Sequence, residues 1–219
     1  MSHLLRIELP DVPGSLGAVA TALGMAGANI EFIEIVEHRP DGTAVDDVYL
    51  DFKPGVMPDM LVSAVQRLDD VQVLWVSRYS ARGNSHLDLE AIEVMTNDPA
   101  RALHHLTHLL PRTFRGDWAC LAALEGREVV CVERTSNAPD LPAEAITWFA
   151  FEHAQRIEAK DSWDGWHNTE VAAAPLSSVG RVAVLGRHGG PEILDSELGR
   201  LQHLATVTTS IELTVESDS

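Results

Sequence analysis

Three histidines close together in the chain, His104, His105 and His108, have the spacing most suggestive of chemistry. His104 and His108 are four residues apart, and a helix would place their imidazoles on one face, where the pair can chelate zinc. Leu106 and Thr107 fill the intervening sites, so the pattern lacks the glutamate of His-Glu-x-x-His metalloproteases. Solvated or hydrogen-bonded histidines are the favoured interpretation, and we predict neither a metal site nor a cofactor.

The two cysteines, Cys120 and Cys131, are a second candidate pair. If Glu125-Gly126 forms a two-residue turn flanked by Leu124 and Arg127, the cysteines face each other across a hairpin. A redox switch is one use for such a pair. Small core residues are the favoured alternative, because two cysteines do not make a disulfide framework.

One segment is rich in aromatic and acidic residues. It contains Trp163, Trp166 and His167, with Asp161 before them and Asp164 between the two tryptophans. It can cover a ligand pocket or contact another subunit. A surface loop whose tryptophans fold onto the core is an equally good interpretation, and the pattern does not choose between them.

The sequence contains no motif of a known catalytic site. It has no Gly-x-Ser-x-Gly elbow and no dinucleotide fingerprint, and no Lys-Ser/Thr pair follows Gly14 as a phosphate loop requires. We therefore expect a protein that is not an enzyme.

The composition argues against nucleic acids and membranes as binding partners. Thirty-three acidic against sixteen basic residues give a net charge of −17, which repels nucleic acids and anionic lipid surfaces. No segment approaches the roughly 20 apolar residues of a membrane span, and the amino terminus does not read as a signal peptide. We expect a cytoplasmic protein that binds neither nucleic acid nor membrane.

The first eighty residues alternate between strand and helix periods. A strand from Leu4 to Leu9 is broken by Pro10–Gly14, and a helix follows from Ser15 to about Gly27. A second strand is expected over 30–36, and the slip in its apolar pattern indicates a bulge or burial on both faces. A third strand near 48–52 is expected to be half-buried. After Pro54-Gly55, a helix carrying Leu61 and a strand over 71–79 complete a βαββαβ order, the ferredoxin-like split βαβ fold.

The loop after the first strand carries a family resemblance. Asp11-Val12-Pro13-Gly14-Ser15-Leu16, followed after one helix by Gly27-Ala28-Asn29-Ile30, resembles the signature of ACT domains. The resemblance covers residues 4–79. It implies domains that sit side by side as dimers and bind an amino acid between this loop and a neighbour's second strand.

We therefore expect a ligand site formed by Asp11, Val12, Gly14, Ser15, Leu16, Asn29 and Ile30. The start of the helix presents unpaired N–H groups that suit an α-carboxylate. Asp11 would receive the α-ammonium group, and the Asn29 amide can donate and accept. The alternative is that Asp11 caps the turn and Asn29 satisfies a tight link between helix and strand.

The second half is expected to be another α+β domain. We place an ACT-type domain at residues 1–80, a linker at 81–86 and a second domain at 87–219. Four helices are expected in the second domain: over 87–95, from Asn97-Asp98-Pro99 onward, over 142–157, and after a capping Asp195. Four strands are expected, over 118–124, 128–132, 169–174 and 181–187.

The end of this second domain resembles a short GAF domain. The resemblance rests on Ala174-Pro175-Leu176, Gly180, the 182–185 strand and the 194–201 segment. It implies an antiparallel sheet flanked by helices that can hold a small molecule and dimerise through terminal helices. The stretch between Ile157 and Thr169 is shorter than the ligand-covering segment of many relatives.

These observations predict a non-enzymatic sensor, a homodimer that binds an amino acid or related metabolite at its ACT-type domain. One alternative is a regulatory subunit that docks on a separate biosynthetic enzyme, as the ACT-containing regulatory subunit of acetolactate synthase does. A small hydrolase or lyase with its site in the second domain is a third possibility, without a motif to support it.

Overall fold

The computed structural model describes residues 2–52, 55–78 and 87–217, and the chain divides into two compact units, Met1–Gly83 and Asn84–Ser219. The linker predicted at 81–86, the start of the predicted Pro54-Gly55 turn and Tyr79 lie outside the described residues. Among the helices of those ranges, none is both long enough and apolar enough to cross a membrane.

The first unit has the predicted βαββαβ order. Its sheet is antiparallel throughout, with the strands in the order β2-β3-β1-β4. The elements are β1 (Ser2–Pro10), α1 (Ser15–Met25), β2 (Ala28–His38), β3 (Thr43–Phe52), α2 (Pro58–Val65) and β4 (Gln72–Arg78).

The core of this unit lies between the sheet and its two helices. Alternate residues of the central strands face the helices, because successive side chains of a strand point to opposite faces. The buried members are Leu5, Ile7 and Leu9 from β1, Ala44, Val48 and Leu50 from β3, Val19 and Leu23 from α1, and Leu61 and Val65 from α2.

Strand β3 is buried on both faces, which corrects the expectation of a half-buried strand. Val45, Asp47 and Tyr49 are as buried as the residues that face the helices. Asp47 can be buried because Arg6 of β1 donates two hydrogen bonds to it, from Nε at 2.8 Å and from Nη2 at 3.0 Å. A buried charge needs such a partner, and the sequence pattern did not show that Arg6 supplies one.

The phase slip seen in the second strand is a bulge, one of the two alternatives. The pairing of β2 with β3 shifts register between Ile30 and Phe32 and again between Ile35 and Glu37. Strand β2 forms one edge of the sheet.

The second unit is also α+β, as expected. Its five-stranded antiparallel sheet has the order β6-β5-β9-β8-β7. Its elements are α3 (Leu87–Asn97), α4 (Ala102–Thr113), β5 (Trp118–Glu125), β6 (Glu128–Arg134), β7 (Gln155–Ile157), β8 (Thr169–Leu176), β9 (Arg181–His188) and α5 (Asp195–Ser217), with 3₁₀ turns at Pro99–Arg101, Ala143–Ala150 and Ser177–Val179.

The two faces of this sheet carry different cores. Ala119 and Leu121 of β5 face the helical layer, where Leu106 and Leu110 of α4 pack. The other face is covered by a tryptophan cluster of Trp118, Trp148, Trp163 and Trp166.

The helix predicted over 142–157 is wrong. The chain instead forms a 3₁₀ helix at Ala143–Ala150 and then the short strand β7, which pairs with β8. Ala145 and Trp148 are buried three residues apart, a spacing that fits three residues per turn as well as an α-helix. Pairing with β8 then decides the conformation of residues 155–157, which local periodicity cannot reveal.

Two expected element ends also shift. Strand β8 continues through Pro175 to Leu176, because β7 pairs only with Val171–Ala173 and leaves the edge beside Pro175 unpaired. Helix α5 begins at Asp195 rather than after it, and at its start Glu197 Oε2 accepts a hydrogen bond from the Leu194 N–H at 3.0 Å.

The hairpin of β5 and β6 has a different register from the one expected. Glu125 pairs with Glu128, so the turn is Gly126-Arg127, and Cys131 lies opposite Ala122 rather than Cys120. The predicted turn was one residue too early. Gly126 adopts a positive φ of 68°, which explains why the turn is placed at this glycine.

Candidate functional site

The loop between β1 and α1 borders a cavity of about 320 Å³ in the first unit. That volume is at the small end of the range for ligand pockets and suits a molecule the size of an amino acid. Its lining consists of Leu9, Pro10, Asp11, Val12, Pro13, Gly14, Ser15, Leu16, Ile35, Ala44 and Asp46.

The amino-terminal end of α1 opens on this cavity. Gly14 precedes the helix with a φ of 102°, a conformation that glycine adopts without steric cost. The Ser15 N–H donates to the Val12 carbonyl at 3.2 Å, and the Ala18 N–H donates to the Gly14 carbonyl at 3.0 Å. The first turn has neither a side-chain cap nor an acidic residue, so the positive end of the helix dipole is available to an anion.

Asp46 contributes a buried carboxylate to the same cavity. Its side chain points to the helix-facing side of β3, the residue is 1% exposed, and Oδ1 has no hydrogen-bond partner among the described residues. Burial raises the pKa of Asp46 to about 6; nearby Asp11 and Asp47 add to the increase, and His38 opposes it. An unpaired carboxylate in an apolar pocket is costly unless a cation meets it.

Asp11 stands at the exposed side of the cavity. His38 Nδ1 lies 2.8 Å from Asp11 Oδ2 and donates to it when that nitrogen is protonated. The Asp11 N–H donates to the Gly42 carbonyl at 2.8 Å, which ties the loop to the turn between β2 and β3.

The structure brings together five of the seven predicted site residues. Asp11, Val12, Gly14, Ser15 and Leu16 all line the cavity.

Asn29 and Ile30 lie at the far end of β2. The cavity reaches that strand at Ile35, which is six positions along the strand from Asn29, roughly 20 Å at 3.3 Å per residue. Within one chain, Asn29 and Ile30 therefore do not belong to this cavity.

Asp46 lines the cavity but was not among the site residues predicted from the sequence. The third strand was expected near residues 48–52, so Asp46 was not assigned to either face of it. The available signal was the Asp46-Asp47 doublet, because two adjacent residues of one strand must point to opposite faces.

The tryptophans of the aromatic segment are folded onto the core of the second unit. Trp163 and Trp166 are buried, and the Trp166 Nε1–H donates to the Asp140 carbonyl at 3.0 Å. Trp118 and Trp166 meet edge to face, with ring centroids 5.0 Å apart. The core interpretation of this segment is the one that the structure supports.

Both cysteines are free thiols on the tryptophan-covered side of this sheet. A hydrogen bond between them raises the pKa of the buried Cys120 thiol and lowers the pKa of Cys131 to about 7. They are neighbours on one face, although not the directly opposed pair that was expected.

A family model matches the larger part of the first unit. Residues 3–56 match the family model of the ACT domain. This segment is an ACT domain. The match includes the whole cavity lining, from Leu9 to Asp46.

A curated relative contains a similar segment. The NAD-dependent malic enzyme 1 of Bacillus subtilis (strain 168) is 49% identical over 43 residues. These residues are 20% of this chain and 10% of the enzyme, so the chain spans only about a tenth of that relative's length.

Solved structures resemble the remainder of the chain. The free methionine-R-sulfoxide reductase of Neisseria meningitidis, solved with its substrate, is 15% identical with a TM-score of 0.51, over 65% of this chain and 98% of that one. The GAF domain of an Acinetobacter phosphoenolpyruvate-protein phosphotransferase is 11% identical with a TM-score of 0.46, over 63% and 98%. At identities this low, the similarity is evidence about the fold alone.

The expected ACT domain at the start of the chain is confirmed over residues 3–56, and the second unit has the expected α+β fold with an antiparallel sheet and helices. The ACT domain indicates a regulatory or sensor domain that involves a small ligand.

Proposed function

We propose that this protein is a non-enzymatic, cytoplasmic sensor whose ACT domain binds a free amino acid in the cavity beside α1. The observation that carries the proposal is the pairing of an open helix amino terminus with the buried carboxylate of Asp46, whose Oδ1 has no hydrogen-bond partner among the described residues. A zwitterion satisfies both features at once, because its carboxylate suits the helix end and its ammonium group suits a carboxylate.

Charge balance favours an amino acid over a simple anion or cation. Asp46 and Asp11 bring two carboxylates to the cavity lining, whereas the start of α1 at Gly14–Leu16 brings the positive end of the helix dipole. A simple anion would be repelled by the two carboxylates, and a simple cation would leave the N–H groups of the helix end without an anion. Leu9, Ile35 and Ala44 leave an apolar surface for the side chain of the ligand.

We further propose that two copies complete the site. Strand β2 is an edge strand with exposed Phe32 and Ile35, and such an edge favours pairing with a second chain. Pairing of two β2 strands would bring the partner's second strand beside this loop, which is how Asn29 and Ile30 can contribute to the ligand site. Binding across the interface would couple ligand occupancy to the quaternary arrangement.

A regulatory subunit of a metabolic enzyme is the second candidate function. The likeness of a 43-residue segment to part of an NAD-dependent malic enzyme favours it, because that segment occurs there within an enzyme chain. Affinity capture from native lysate with the full chain as bait separates the two candidates. A stoichiometric enzyme partner supports the second candidate, and its absence supports a free-standing sensor.

A thermal-shift screen of the full chain against the twenty amino acids tests the proposed ligand class. A ligand that binds only the folded state adds about 2.7 kcal/mol of stability at a concentration one hundred times its Kd. We expect one amino acid, or a chemically related group of them, to raise the melting temperature. If none of the twenty does so at millimolar concentration, the proposal is wrong.

A further inference from the structure

Two histidines of α4 and a glutamate of β6 converge at the surface of the second unit. His104 Nδ1 lies 3.0 Å from Glu133 Oε2, and His108 Nε2 lies 3.1 Å from Glu133 Oε1. The two imidazole rings are stacked obliquely, with centroids 4.4 Å apart. One ligand atom from each of the three residues lies within 4.8 Å of the other two.

A bulge in β6 aims Glu133 at the helix. Cys131 lies opposite Ala122, but the next pair is Glu133 with Leu121, so Val132 is the extra residue. Ala122 belongs to the tryptophan-covered face and Leu121 to the face that packs against the helices. Without the bulge, Glu133 would point to the same side as Cys131, away from α4; bulges commonly redirect side chains in this way.

The neighbouring histidine is not part of the cluster. His105 Nε2 lies 2.9 Å from Asp98 Oδ2, an aspartate that Glu133 does not contact. The two histidines that do converge are the i, i+4 pair of the sequence, and buried Leu106 and Leu110 fix α4 against the sheet. The helix therefore holds both imidazoles in place before any ion arrives.

We propose that His104, His108 and Glu133 form a binding site for a zinc-like divalent transition-metal ion. The donor set of two imidazoles and one carboxylate is a common zinc set. Tetrahedral zinc with bonds of about 2.0–2.1 Å separates its ligand atoms by roughly 3.3 Å. The two nitrogen–oxygen contacts, one to each carboxylate oxygen, are near that value, and the three ligand atoms, which lie within 4.8 Å of one another, must close to it to bind one ion.

The site leaves one coordination position open to solvent. The three side chains are each about one-third exposed, so a water molecule can complete the tetrahedron. Because the ligands come from α4 and from the edge strand β6, the bound ion joins the hairpin to the helical layer. The net charge of −17 favours cation binding at this surface.

Cobalt(II) titration of the metal-free full chain, without an affinity tag, tests the site. We expect one equivalent of Co²⁺ to produce the visible absorption of a tetrahedral complex, and Zn²⁺ to displace it. Zn²⁺ should also raise the melting temperature, since it binds only the folded state. Glu133→Gln and His108→Asn should each weaken Co²⁺ binding by about tenfold or more.

Two further variants make the outcome specific. His105→Asn removes an adjacent imidazole outside the cluster and should leave Co²⁺ affinity unchanged. His108→Cys replaces one ligand by another and should retain binding, with a new thiolate charge-transfer band. Circular dichroism verifies that each variant is folded, and variants of these exposed residues are expected to fold.

The proposal is overturned if the wild-type chain shows neither a cobalt spectrum nor a zinc-dependent melting shift. It is also overturned if Glu133→Gln and wild type bind Co²⁺ equally well, because the ion would then occupy another site. Neither result bears on the amino-acid site of the ACT domain.

Discussion

Asp46 and Asp47 are adjacent in β3 and both are buried, but they have opposite electrostatic environments. Asp47 points to one face of the sheet, where Arg6 meets it with two hydrogen bonds. Asp46 points to the other face and lines the cavity beside α1, with Oδ1 unpartnered among the described residues. Asp47 therefore has the partner that a buried charge requires, and Asp46 is suited to a cation supplied by a ligand.

Replacing Asp46 should remove a pH-dependent loss of stability. The pKa of Asp46 in the folded chain is about 6, above the value of 3.8 for an unburied aspartate, so the folded state binds a proton more tightly. Stability from this group is therefore present below about pH 4 and is lost as pH rises through 6. Relative to wild type, Asp46→Asn should gain on the order of 3 kcal/mol between pH 4 and pH 7. Urea unfolding at both pH values measures this.

The matched control is Asp47→Asn, one residue away. It removes the carboxylate that accepts two hydrogen bonds from the buried Arg6, and breaking a buried ion pair destabilises a fold by about 3–5 kcal/mol. Opposite signs for the two variants at pH 7 are expected. If Asp46→Asn destabilises the chain as Asp47→Asn does, the carboxylate of Asp46 has a stabilising partner in the folded chain, which contradicts this prediction.

The order of elements in the ACT domain could be predicted because its signals are local. Changes of hydrophobic period and the turn residues of the Asp11–Leu16 loop are readable in sequence, and five predicted site residues line the cavity. Asp46 could not be predicted, since its role depends on which face of β3 packs under α1. That assignment requires the register of three strands.

The second unit shows the same division between local and tertiary information. The aromatic pattern of residues 142–157 is compatible with α and 3₁₀ helices, and strand pairing with β8 decides the outcome. The convergence of Glu133 on His104 and His108 depends on one extra residue, Val132. Residues 129–132 are all apolar, so there is no alternation in which this bulge could appear as a phase slip, and the histidine pair appeared to lack a third ligand.

Dimerisation through β2 predicts that a charge on that edge gives monomers. Phe32 is 43% exposed and packs against Tyr49, with ring centroids 5.5 Å apart. Phe32→Asp places a carboxylate in the proposed interface, where burying an unpaired charge opposes association. Light scattering should give a dimer mass for the wild type and a monomer mass for the variant.

The control for that experiment lies on the opposite edge of the sheet. Leu74 of β4 is also partly exposed, and Leu74→Asp should leave the dimer intact. A monomeric wild type at micromolar concentration, or a dimer broken only by Leu74→Asp, would contradict the assignment of β2.

Two glycines of the second unit should respond to alanine in opposite directions. A Cβ at Gly186 of β9 would lie 2.0 Å from the buried Trp118 ring, so Gly186→Ala should cost about 3 kcal/mol or more. Gly199 is an exposed position of α5 with open space around it, so Gly199→Ala should add roughly 1 kcal/mol.

Tryptophan fluorescence during urea unfolding measures both, because four of the five tryptophans belong to this unit. Equal stability of Gly186→Ala and wild type would mean that Trp118 does not pack against β9 as described.

Amino-acid affinity should rise with pH through the titration of Asp46. Only the ionised carboxylate can receive the ligand's ammonium group, and at pH 5 a group with a pKa of about 6 is roughly one-tenth ionised. The apparent Kd should therefore be about tenfold weaker at pH 5 than at pH 7. His38, Asp11 and Asp47 act on the same carboxylate, so His38→Gln serves as the control for the effect of the His38 side chain on Asp46. An equally steep profile in Asp46→Asn would exclude Asp46 as its cause.

The placement of the amino acid beside α1 can be tested by calorimetric titration of four proteins with the amino acid that gives a thermal shift. The proteins are the wild type, Asp11→Asn, Asn29→Ala and Asp46→Asn. We expect Asp46→Asn and Asp11→Asn to weaken amino acids more than neutral analogues, because each removes a charge that faces the ammonium group. Asn29→Ala should cost about 1–3 kcal/mol of binding free energy if the partner's β2 completes the site. Equal affinity in all four proteins would contradict the placement of the ligand beside α1.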